Sequence, residues 1–430
     1  MSSEREKTKN DIEWSKLFSK YKILEHIDCN GFFEITSAQI NEFREARLMT
    51  KFDHSINLPK LFSDNKLAIL PVTRGSYIIS RFEAYKRIEQ VNGDVIKATF
   101  PEYIESIDYE NITSEATAIN CAFVSRILSD FLDEEKLLPT VSGRMSSESF
   151  SFRIRNTLSM PDLKINVSNS QIEIDGGFEG IKQLCLIEAK NFISEDFLIR
   201  QLYYPYRLWK SKISKKITSI LLVYTNGIFS LYEYEFQEPD NYNSLVLVKQ
   251  RNYCIDPIDI SLDDIVYILK RTSYVDEPSV PFPQANSFKR VINLCELLFQ
   301  SDMTRDDITT NYAFDQRQTN YYTDAGRYLG LIRKYRDNDQ VCFSLTEEGR
   351  KIIRSKYKVR QLKFVEAILR HKAFADTLKL YLLYGKMPSK NEVVNIMKNC
   401  NLYGIKSQDT FERRSSTITS WINWILSLLY

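Results

Sequence analysis

Hydrophobic and polar residues recur with different periods along the chain, and the period predicts where helices and strands lie. The first 110 residues begin with helical spacing and change to strand-like spacing at 66–85, where Thr73, Arg74 and Gly75 predict a hairpin turn. A helix is predicted at about 116–132, because apolar residues there recur on one side. The pattern therefore predicts an N-terminal α/β region at 1–110.

Short strand-like segments dominate from Ser149 onward, and one helical segment, at about 196–210, interrupts them. The strands are predicted at 149–155, 171–175, 184–190, 217–225 and 228–236. Strands on both sides of a crossover helix predict a mixed sheet with helices on its faces. The pattern thus predicts a second α/β (α+β) domain at 111–275.

Three closely spaced prolines, Pro278, Pro281 and Pro283, predict the next boundary, since they cannot continue a helix or a central strand. Beyond it the chain predicts three helices and then two short strands around a polar hairpin tip. These elements are predicted at 288–300, 305–309, 315–329 and, for the tip, 337–340. Such an order is typical of a winged helix-turn-helix, which we assign to 285–358. The remainder, 359–430, is predicted to be helical.

The charge of the chain is unevenly distributed. The formal net charge is +2, but residues 351–430 hold 15 Lys and Arg against 5 Asp and Glu, a net charge of +10. A basic end on an otherwise acidic chain favours an anionic partner, and nucleic acid is the commonest one. A basic helical face that is simply exposed to solvent is the alternative.

Several classes of protein are disfavoured by the composition. No apolar run is long enough to span a bilayer and the first ten residues do not resemble a signal peptide, so we expect a cytoplasmic protein without a membrane partner. The seven cysteines include no CxxC pair, which argues against a structural zinc site. Only three histidines are present, far apart, so carboxylates and lysines must carry any catalysis.

One group of such residues lies on two neighbouring predicted strands. Asp175 is at the end of the first strand, and Glu188 and Lys190 end the second. Only a short loop containing three glycines separates the strands, so they should lie side by side. Glu188 and Lys190 are two residues apart and therefore point to the same face, while Ala189 points to the other. The three charged groups are expected to converge.

This arrangement suits the hydrolysis of a phosphodiester. Asp175 and Glu188 offer the oxygen ligands that Mg²⁺ prefers, with Mn²⁺ as a substitute, and a nearby cation steadies the developing charge. Lys190 would orient or deprotonate the attacking water. An apolar strand that ends in two charges on one face favours a functional site, although an edge-strand salt bridge between Glu188 and Lys190 is the alternative.

The segment IEIDGGFEGIKQLCLIEAK resembles the signature of the PD-(D/E)XK nuclease superfamily, with Ile174 where the family often has proline. The resemblance implies a metal contact from the backbone carbonyl of Ala189. It also implies that Gln201, at the start of the following helix, supports the site. Glu173 and Glu179 are left open as additional metal ligands, and Gly176 and Gly177 are assigned to the hairpin turn rather than to phosphate binding.

Four further segments are together similar to a group of type II restriction endonucleases that carry a winged-helix region after the nuclease domain. They are TKFDHSINLPKLF, LAILPVTRGSYII, EIDGGFEG and RQLYYPYR. The resemblance implies site-specific cleavage of double-stranded DNA and a methyltransferase that protects the same site. We also expect a homodimer, because cutting both strands of a palindrome calls for two centres. Contact between DNA and the region 1–110 is left open.

The third helix of the predicted winged helix is the candidate for base recognition. Asp315 and Gln318 resemble a capping box at its start. Helical winding assigns Phe314, Tyr321, Ala325 and Tyr328 to the core, so four polar residues are expected to face the major groove. These are Gln316, Thr319, Asn320 and Thr323. Protein docking is the alternative role of this unit.

Further basic residues are candidates for contacts with phosphates, which position a protein on DNA without reading its sequence. They are Arg333, Lys334 and Arg336 near the wing, and Arg413 and Arg414 in the basic C-terminal region. For the last two, a solvated helix start is the alternative.

Three functions thus remain in consideration. A restriction endonuclease is favoured over a repair or junction-resolving nuclease of the same fold, because a dedicated sequence-recognition unit favours site-specific cleavage. A winged-helix regulator without catalysis is disfavoured, because it leaves the group of Asp175, Glu188 and Lys190 without a role.

Overall fold

The computed structural model describes residues 8–89, 94–158, 160–255 and 259–429. The chain forms two compact units. The first comprises residues 1–101, 114–224 and 229–253, and the second comprises 102–113, 225–228 and 254–430. The first unit therefore contains both the N-terminal region and the strand-rich segment that follows it.

The N-terminal part of the first unit combines short helices with a small sheet. In chain order its elements are α1 (Lys9–Tyr21), α2 (Ile23–Asn30), β1 (Phe32–Thr36), α3 (Ser37–Asn41), α4 (Ala46–Thr50), a 3₁₀ turn (Ser55–Asn57), α5 (Lys60–Asp64), β2 (Ala68–Pro71), β3 (Ser76–Ser80), β4 (Tyr85–Arg87) and β5 (Val95–Lys97). Strands β1, β3 and β2 form an antiparallel sheet over a core that includes Trp14 and Phe62. The predicted turn is present between β2 and β3.

The rest of the first unit is built around a larger sheet. Its elements are α6 (Glu115–Val124), α7 (Ile127–Leu132), β6 (Leu138–Ser146), β7 (Ser149–Ile154), β8 (Leu163–Ser168), β9 (Gln171–Glu179), β10 (Gln183–Lys190), β11 (Asp196–Leu198), α8 (Arg200–Lys212), β12 (Lys216–Thr225), β13 (Ile228–Phe236) and β14 (Leu245–Cys254). Seven strands pair in the order β5-β14-β13-β12-β10-β9-β6.

The sheet is mixed, as the pattern predicts. Strand β10 runs antiparallel to β9 and parallel to β12, and α8 forms the crossover between β10 and β12. The strand beside β9 is β6, which the sequence pattern did not indicate. The predicted strand at 149–155 exists as β7 but pairs with β8 in a separate two-stranded sheet, so its place in the main sheet was wrong.

Two predicted helices are shorter than expected. The helix predicted at 116–132 is interrupted at Arg126, whose φ of 60° lies in the left-handed region and separates α6 from α7. The helix predicted at 196–210 begins only at Arg200, because residues 196–198 pair with β4 as the strand β11.

Gly176 and Gly177 lie inside β9, so their assignment to the hairpin turn was wrong. A Cβ atom on Gly177 would lie 2.7 Å from the Cβ and 2.9 Å from the carbonyl oxygen of Val141 on β6. A Cβ atom on Gly176 would lie 3.0 Å from a methyl carbon of Ile119 on α6. The two glycines thus allow β6 and α6 to approach β9 closely.

The second unit is mostly helical. Its elements are α9 (Leu262–Arg271), α10 (Phe288–Gln300), β15 (Met303–Thr304), α11 (Arg305–Asn311), α12 (Gln316–Tyr328), β16 (Ile332–Asp337), β17 (Gln340–Leu345), α13 (Glu347–Ile353), α14 (Tyr357–Leu369), α15 (Lys372–Tyr384), α16 (Lys390–Lys398) and α17 (Gln408–Leu426). The three helices and the hairpin predicted at 288–345 are confirmed within a few residues. Strands β15, β17 and β16 form one small sheet. No helix in the described ranges is long and apolar enough to cross a membrane.

The close approach of β6 to β9 is testable by adding one methyl group. Gly177→Ala should lower the free energy of unfolding by about 1–3 kcal/mol, because the new Cβ meets backbone atoms that cannot move independently. Gly75→Ala is the matched control, since no atom lies within 4 Å of its Cβ position. Chemical denaturation of the three proteins measures the difference, and equal stability of the two variants would contradict the packing argument.

Candidate active site

Asp175, Glu188 and Lys190 converge on two hydrogen-bonded strands of the main sheet. The last registered pair of β9 and β10 is Gly176 with Ile187, so the next position along each strand brings Asp175 opposite Glu188. The backbone N–H of Ala189 donates a hydrogen bond of 2.9 Å to Asp175 Oδ2. Lys190 Nζ lies 2.6 Å from Glu188 Oε1. The convergence predicted from strand periodicity is therefore present.

Gln201 joins the same group from the first turn of α8. Its side-chain nitrogen donates to Glu188 Oε1, the oxygen that also contacts Lys190. The side-chain oxygen of Gln201 is buried and has no hydrogen-bond partner among the described residues. This acceptor is therefore an exception among buried polar atoms, which are normally satisfied.

The charged pair at the end of β10 is deeply buried. Glu188 and Lys190 each expose 7% of their surface. The salt bridge between Glu188 and Lys190 is present, but β10 lies between β9 and β12, so the alternative was wrong in placing it on an edge strand. A buried ion pair gains little net stability over apolar residues, because both charges lose their hydration. Its burial in the middle of a sheet therefore calls for an explanation other than stability.

The pKa values in this group follow from burial and from the concentration of negative charge. Burial, reinforced by the nearby Asp175, raises the pKa of Glu188 to about 8 despite the opposing effect of Lys190. Burial also raises the pKa of the Asp175 carboxyl, which the Ala189 N–H partly offsets. Burial alone would lower the pKa of Lys190, but Glu188 and further carboxylates outweigh it and raise that pKa. Lys190 is therefore held as an ammonium.

Two of these further carboxylates, Glu115 and Asp53, were not identified from the sequence. Both contribute to the raised pKa of Lys190. Glu115 opens α6, one turn before Ile119, and Ile119 packs against Gly176 beside Asp175. Burial raises the pKa of Glu115 as well. In the sequence, Gly176 was the signal that could have pointed to Glu115, because this glycine lies next to Asp175 and lets α6 approach.

Asp53 reaches the site from the N-terminal part of the first unit. The backbone carbonyl of Asp53 accepts a hydrogen bond of 3.0 Å from the N–H of Leu198, in β11. One residue earlier, the carbonyl of Phe52 accepts a bond of 2.8 Å from the Tyr85 hydroxyl. Asp53 lies in the segment TKFDHSINLPKLF, to which the sequence pattern assigned no chemistry. Only the tertiary fold brings it near Lys190.

The other residues considered near the centre are placed as follows. The side chain of Ala189 is fully buried, which agrees with its predicted direction, while its carbonyl contact with a metal stays a prediction. Glu173 is exposed and pairs with Arg144 at 3.3 Å. Glu179 pairs with Lys215 at 2.5 Å, near the far end of β9. Among the described residues, no group of three or more His, Cys, Asp or Glu residues is close enough to hold a metal ion.

The outward face predicted for α12 needs a correction. Thr319 and Thr323 are buried, with 0% and 1% exposure, so neither can contact DNA directly. Their hydroxyls donate to carbonyl oxygens one turn earlier, Asp315 and Thr319, and so remain satisfied inside the unit. Asn320 is exposed and Gln316 is half-buried, which leaves them on the accessible side. Tyr321 is also only half-buried, so its predicted place in the core was wrong. The predicted cap is present, since Asp315 accepts from the Gln318 N–H.

The basic candidates lie on accessible surfaces of the second unit. Arg333, Lys334 and Arg336 are exposed on β16. Arg413 is exposed and Arg414 is half-buried, and both lie in the second turn of α17. These five residues are thus placed where an anionic ligand could reach them.

Three family models match successive parts of the chain. Residues 11–79, 80–254 and 290–430 match models described as domains of unknown function, DUF6996, DUF6997 and DUF7226 respectively. Asp175, Glu188, Lys190 and Gln201 fall in the second match, whereas Asp53 falls in the first. A search of curated proteins and a search of solved structures each gave no match.

The raised pKa of Asp175 leads to a stability prediction. A carboxyl whose pKa is raised by folding favours the folded state most at low pH, and this contribution is lost as the pH rises through the folded-state pKa. Asp175→Asn carries no charge at any pH, so its stability does not fall as the pH rises through the pKa of Asp175. Its side-chain oxygen still accepts from the Ala189 N–H. In EDTA, this variant should therefore melt at a higher temperature than the wild type at pH 7, with the difference shrinking towards pH 4.

Asp175→Ala is the matched control, because it removes the charge together with the acceptor and leaves the Ala189 N–H without its partner. It should gain less than Asp175→Asn at every pH. If Asp175→Asn melts below the wild type at pH 7, the raised pKa of Asp175 is contradicted.

Proposed function

We propose that the protein is a magnesium-dependent, site-specific DNA endonuclease of the PD-(D/E)XK fold, acting as a type II restriction enzyme. The observation that carries the proposal is the buried group of Asp175, Glu188 and Lys190, joined by Gln201, at the end of a central strand. Proteins rarely bury such charges without a functional reason, and perturbed pKa values concentrate at functional sites.

The topology around this group supports the proposal. Helix α6 precedes three antiparallel neighbours, β6, β9 and β10, and α8 then leads to β12, parallel to β10. The same order of helix, three strands, helix and strand characterises the core of the nuclease superfamily that the sequence resembles. The proposal therefore does not depend on the spacing of three charged residues alone.

The donor set of the site fits a divalent cation. Asp175 and Glu188 supply hard carboxylate oxygens, and the unpartnered oxygen of Gln201 marks a place for a polar ligand such as water. Burial, with a smaller contribution from neighbouring carboxylates, raises the pKa values of Asp175 and Glu188, and a bound cation would stabilise their charged forms. When bound, Mg²⁺ supplies positive charge beside the scissile phosphate and increases the acidity of water in the site.

The chain's own residues have distinct tasks in this proposal. Asp175 and Glu188 would hold the cation, with the Ala189 carbonyl as the resemblance implies. The raised pKa of Lys190 favours its role as an ammonium that orients water and stabilises charge in the transition state, rather than as a base. Gln201 fixes the rotamer of Glu188 through its hydrogen bond.

Sequence recognition is proposed to reside in the second unit. Helices α10, α11 and α12 with the β16–β17 hairpin have the element order of a winged helix-turn-helix, which would place α12 in the major groove. Gln316 and Asn320 remain the candidates for base contacts. A homodimer and a partner methyltransferase of the same specificity complete the proposal.

The catalytic assignment predicts loss of cleavage on single substitutions. Asp175→Ala, Glu188→Ala and Lys190→Ala should each reduce cleavage of unmodified plasmid DNA by at least about 100-fold, because the three groups act together on one transition state. Glu238→Gln is the matched control, since it removes an exposed carboxylate of the same unit that pairs with Arg153 and should cut normally.

The same assay tests the metal. Mg²⁺ or Mn²⁺ should support cleavage, Ca²⁺ should permit binding without turnover, and zinc should not be required. Sequencing the fragment ends would give the recognition site. Cleavage that continues in excess EDTA, or at the wild-type rate in any of the three alanine variants, would refute the mechanism.

The recognition assignment predicts two kinds of binding defect. Asn320→Ala or Gln316→Ala should weaken cognate binding by about 1–3 kcal/mol and relax discrimination at one base position. Alanine at Arg333, Lys334 or Arg336 should weaken binding to cognate and random DNA alike, because phosphates carry no sequence information. Binding titrations on both DNAs separate the two. Full discrimination by the Asn320 and Gln316 variants would move base recognition away from α12.

A further inference from the structure

Two arginines from two helices lie at one aromatic ring in the second unit, and a third arginine is adjacent to one of them in sequence. Arg317 of α12 donates from Nε to the Tyr321 hydroxyl at 2.6 Å, and its guanidinium carbon lies 5.3 Å from the Tyr321 ring centre. The guanidinium carbon of Arg414, on α17, lies 5.9 Å from the same ring centre. Arg413 precedes Arg414 on that helix. We call Arg317, Arg413 and Arg414 the arginine surface.

Helix α10 holds α12 and α17 in this arrangement. On one side, the Phe288 ring lies 4.9 Å from the ring of Trp421 and 4.3 Å from that of Trp424, both on α17. On the other side, the guanidinium of Arg290 lies 4.3 Å from the ring of Phe314, which directly precedes the cap of α12. Both α12 and α17 therefore pack against α10, and this packing sets the positions from which Arg317 and Arg414 reach Tyr321.

The arginine surface is short of negative charge. Arg413 pairs with Asp409 at 3.4 Å in an exposed contact, and the nearby Asp324 is engaged by Arg327 at 2.7 Å. Across the part of the chain that the structure describes, no carboxylate is within ion-pair distance of Arg317 or Arg414. Burial, and then the charges of Arg413 and Arg317, lower the pKa of Arg414 against the effect of Tyr321 and Asp324. Bringing these cations together is unfavourable until an anion neutralises them.

We propose that the arginine surface is a phosphate-binding part of the duplex-DNA interface, in which α17 and α12 grip the same stretch of DNA. The inference rests on the proposed function, because it takes α12 as the recognition helix. It adds Arg317, which the sequence analysis did not select. It also assigns Arg413 and Arg414 to the DNA segment that α12 enters, rather than to solvent or to a second duplex.

Duplex DNA fits this surface by charge and by geometry. The guanidinium carbons of Arg317 and Arg414 are at most about 11 Å apart, since both lie near one ring, and this is close to the screening length at physiological salt. Arg317 lies one helical turn from Asn320 and Tyr321 on the accessible side of α12. Base-contacting and phosphate-contacting groups are thus adjacent, as expected where a helix enters a groove bordered by phosphates.

The test is a set of binding titrations with wild-type protein and full-length variants, in Ca²⁺, on a short duplex of about two helical turns and random sequence. Arg317→Ala and Arg414→Ala should each weaken binding roughly tenfold, because each loses a charge-assisted contact with phosphate. Each should also flatten the plot of log affinity against log salt by about one unit. Arg414→Lys, which keeps the charge, should retain the slope.

Arg370→Ala is the matched control, because Arg370 is a partly exposed arginine of the same unit that pairs with Glu366. It should bind like the wild type, and thermal melting would verify that Arg317→Ala is folded. If the wild type binds the short duplex while both alanine variants keep its affinity and slope, the inference is refuted and the proposed nuclease stands. If the variants lose binding but the wild type never cleaves DNA, the surface stands and the nuclease fails. Absence of any duplex binding refutes both.

Discussion

The structure of the first unit depends on one unfavourable condition, the burial of the Glu188 and Lys190 charges at the end of a central strand. Removing both charges from water costs several kcal/mol per ion, and their mutual attraction only partly offsets that penalty. The pair persists because β9 and β12 flank β10 on either side and the surrounding apolar core fixes the strand. Stability elsewhere in the unit therefore supports a local arrangement that contributes little stability of its own.

The same condition explains why distant parts of the chain meet at this site. Lys190 faces Glu188, Asp53 and Glu115, all of which raise its pKa, so one buried cation is surrounded by an excess of carboxylates. Glu115 can approach because Gly176 lets α6 lie close to β9, and Asp53 is held by the hydrogen bond from Leu198 to its backbone. Burial is the main cause of the raised pKa of Glu188, and Lys190 opposes it while Asp175 and Asp53 add to it.

Features of the fold and the site that depend on neighbouring residues in the sequence were predicted, whereas features that depend on contacts between distant segments were not. Period-two spacing placed Glu188 and Lys190 on one face of β10, and the bounds of α10 were predicted to the residue, because both depend on local pattern. Strand β6 was missed, since its mostly exposed residues give no apolar alternation. Thr319 and Thr323 were assigned to the wrong side, because a threonine hydroxyl that bonds to a carbonyl of its own helix can be buried. Thr319 also bonds to the Thr309 hydroxyl of α11. Asp53 needed the tertiary fold.

The two units carry charge imbalances of opposite sign, and each is expressed at short range. In the first unit, carboxylates outnumber the single buried lysine, so the site attracts a cation. In the second, no carboxylate among the described residues forms an ion pair with Arg317 or Arg414 beside Tyr321, so the surface is a candidate for an anionic ligand. A protein that only needed to be stable would neutralise both within itself. Under the proposed function, DNA phosphates would supply the anion and the divalent cation would supply the positive charge. On that proposal, the near-neutral total charge of the chain combines two local imbalances of opposite sign, and one substrate with its metal would satisfy both.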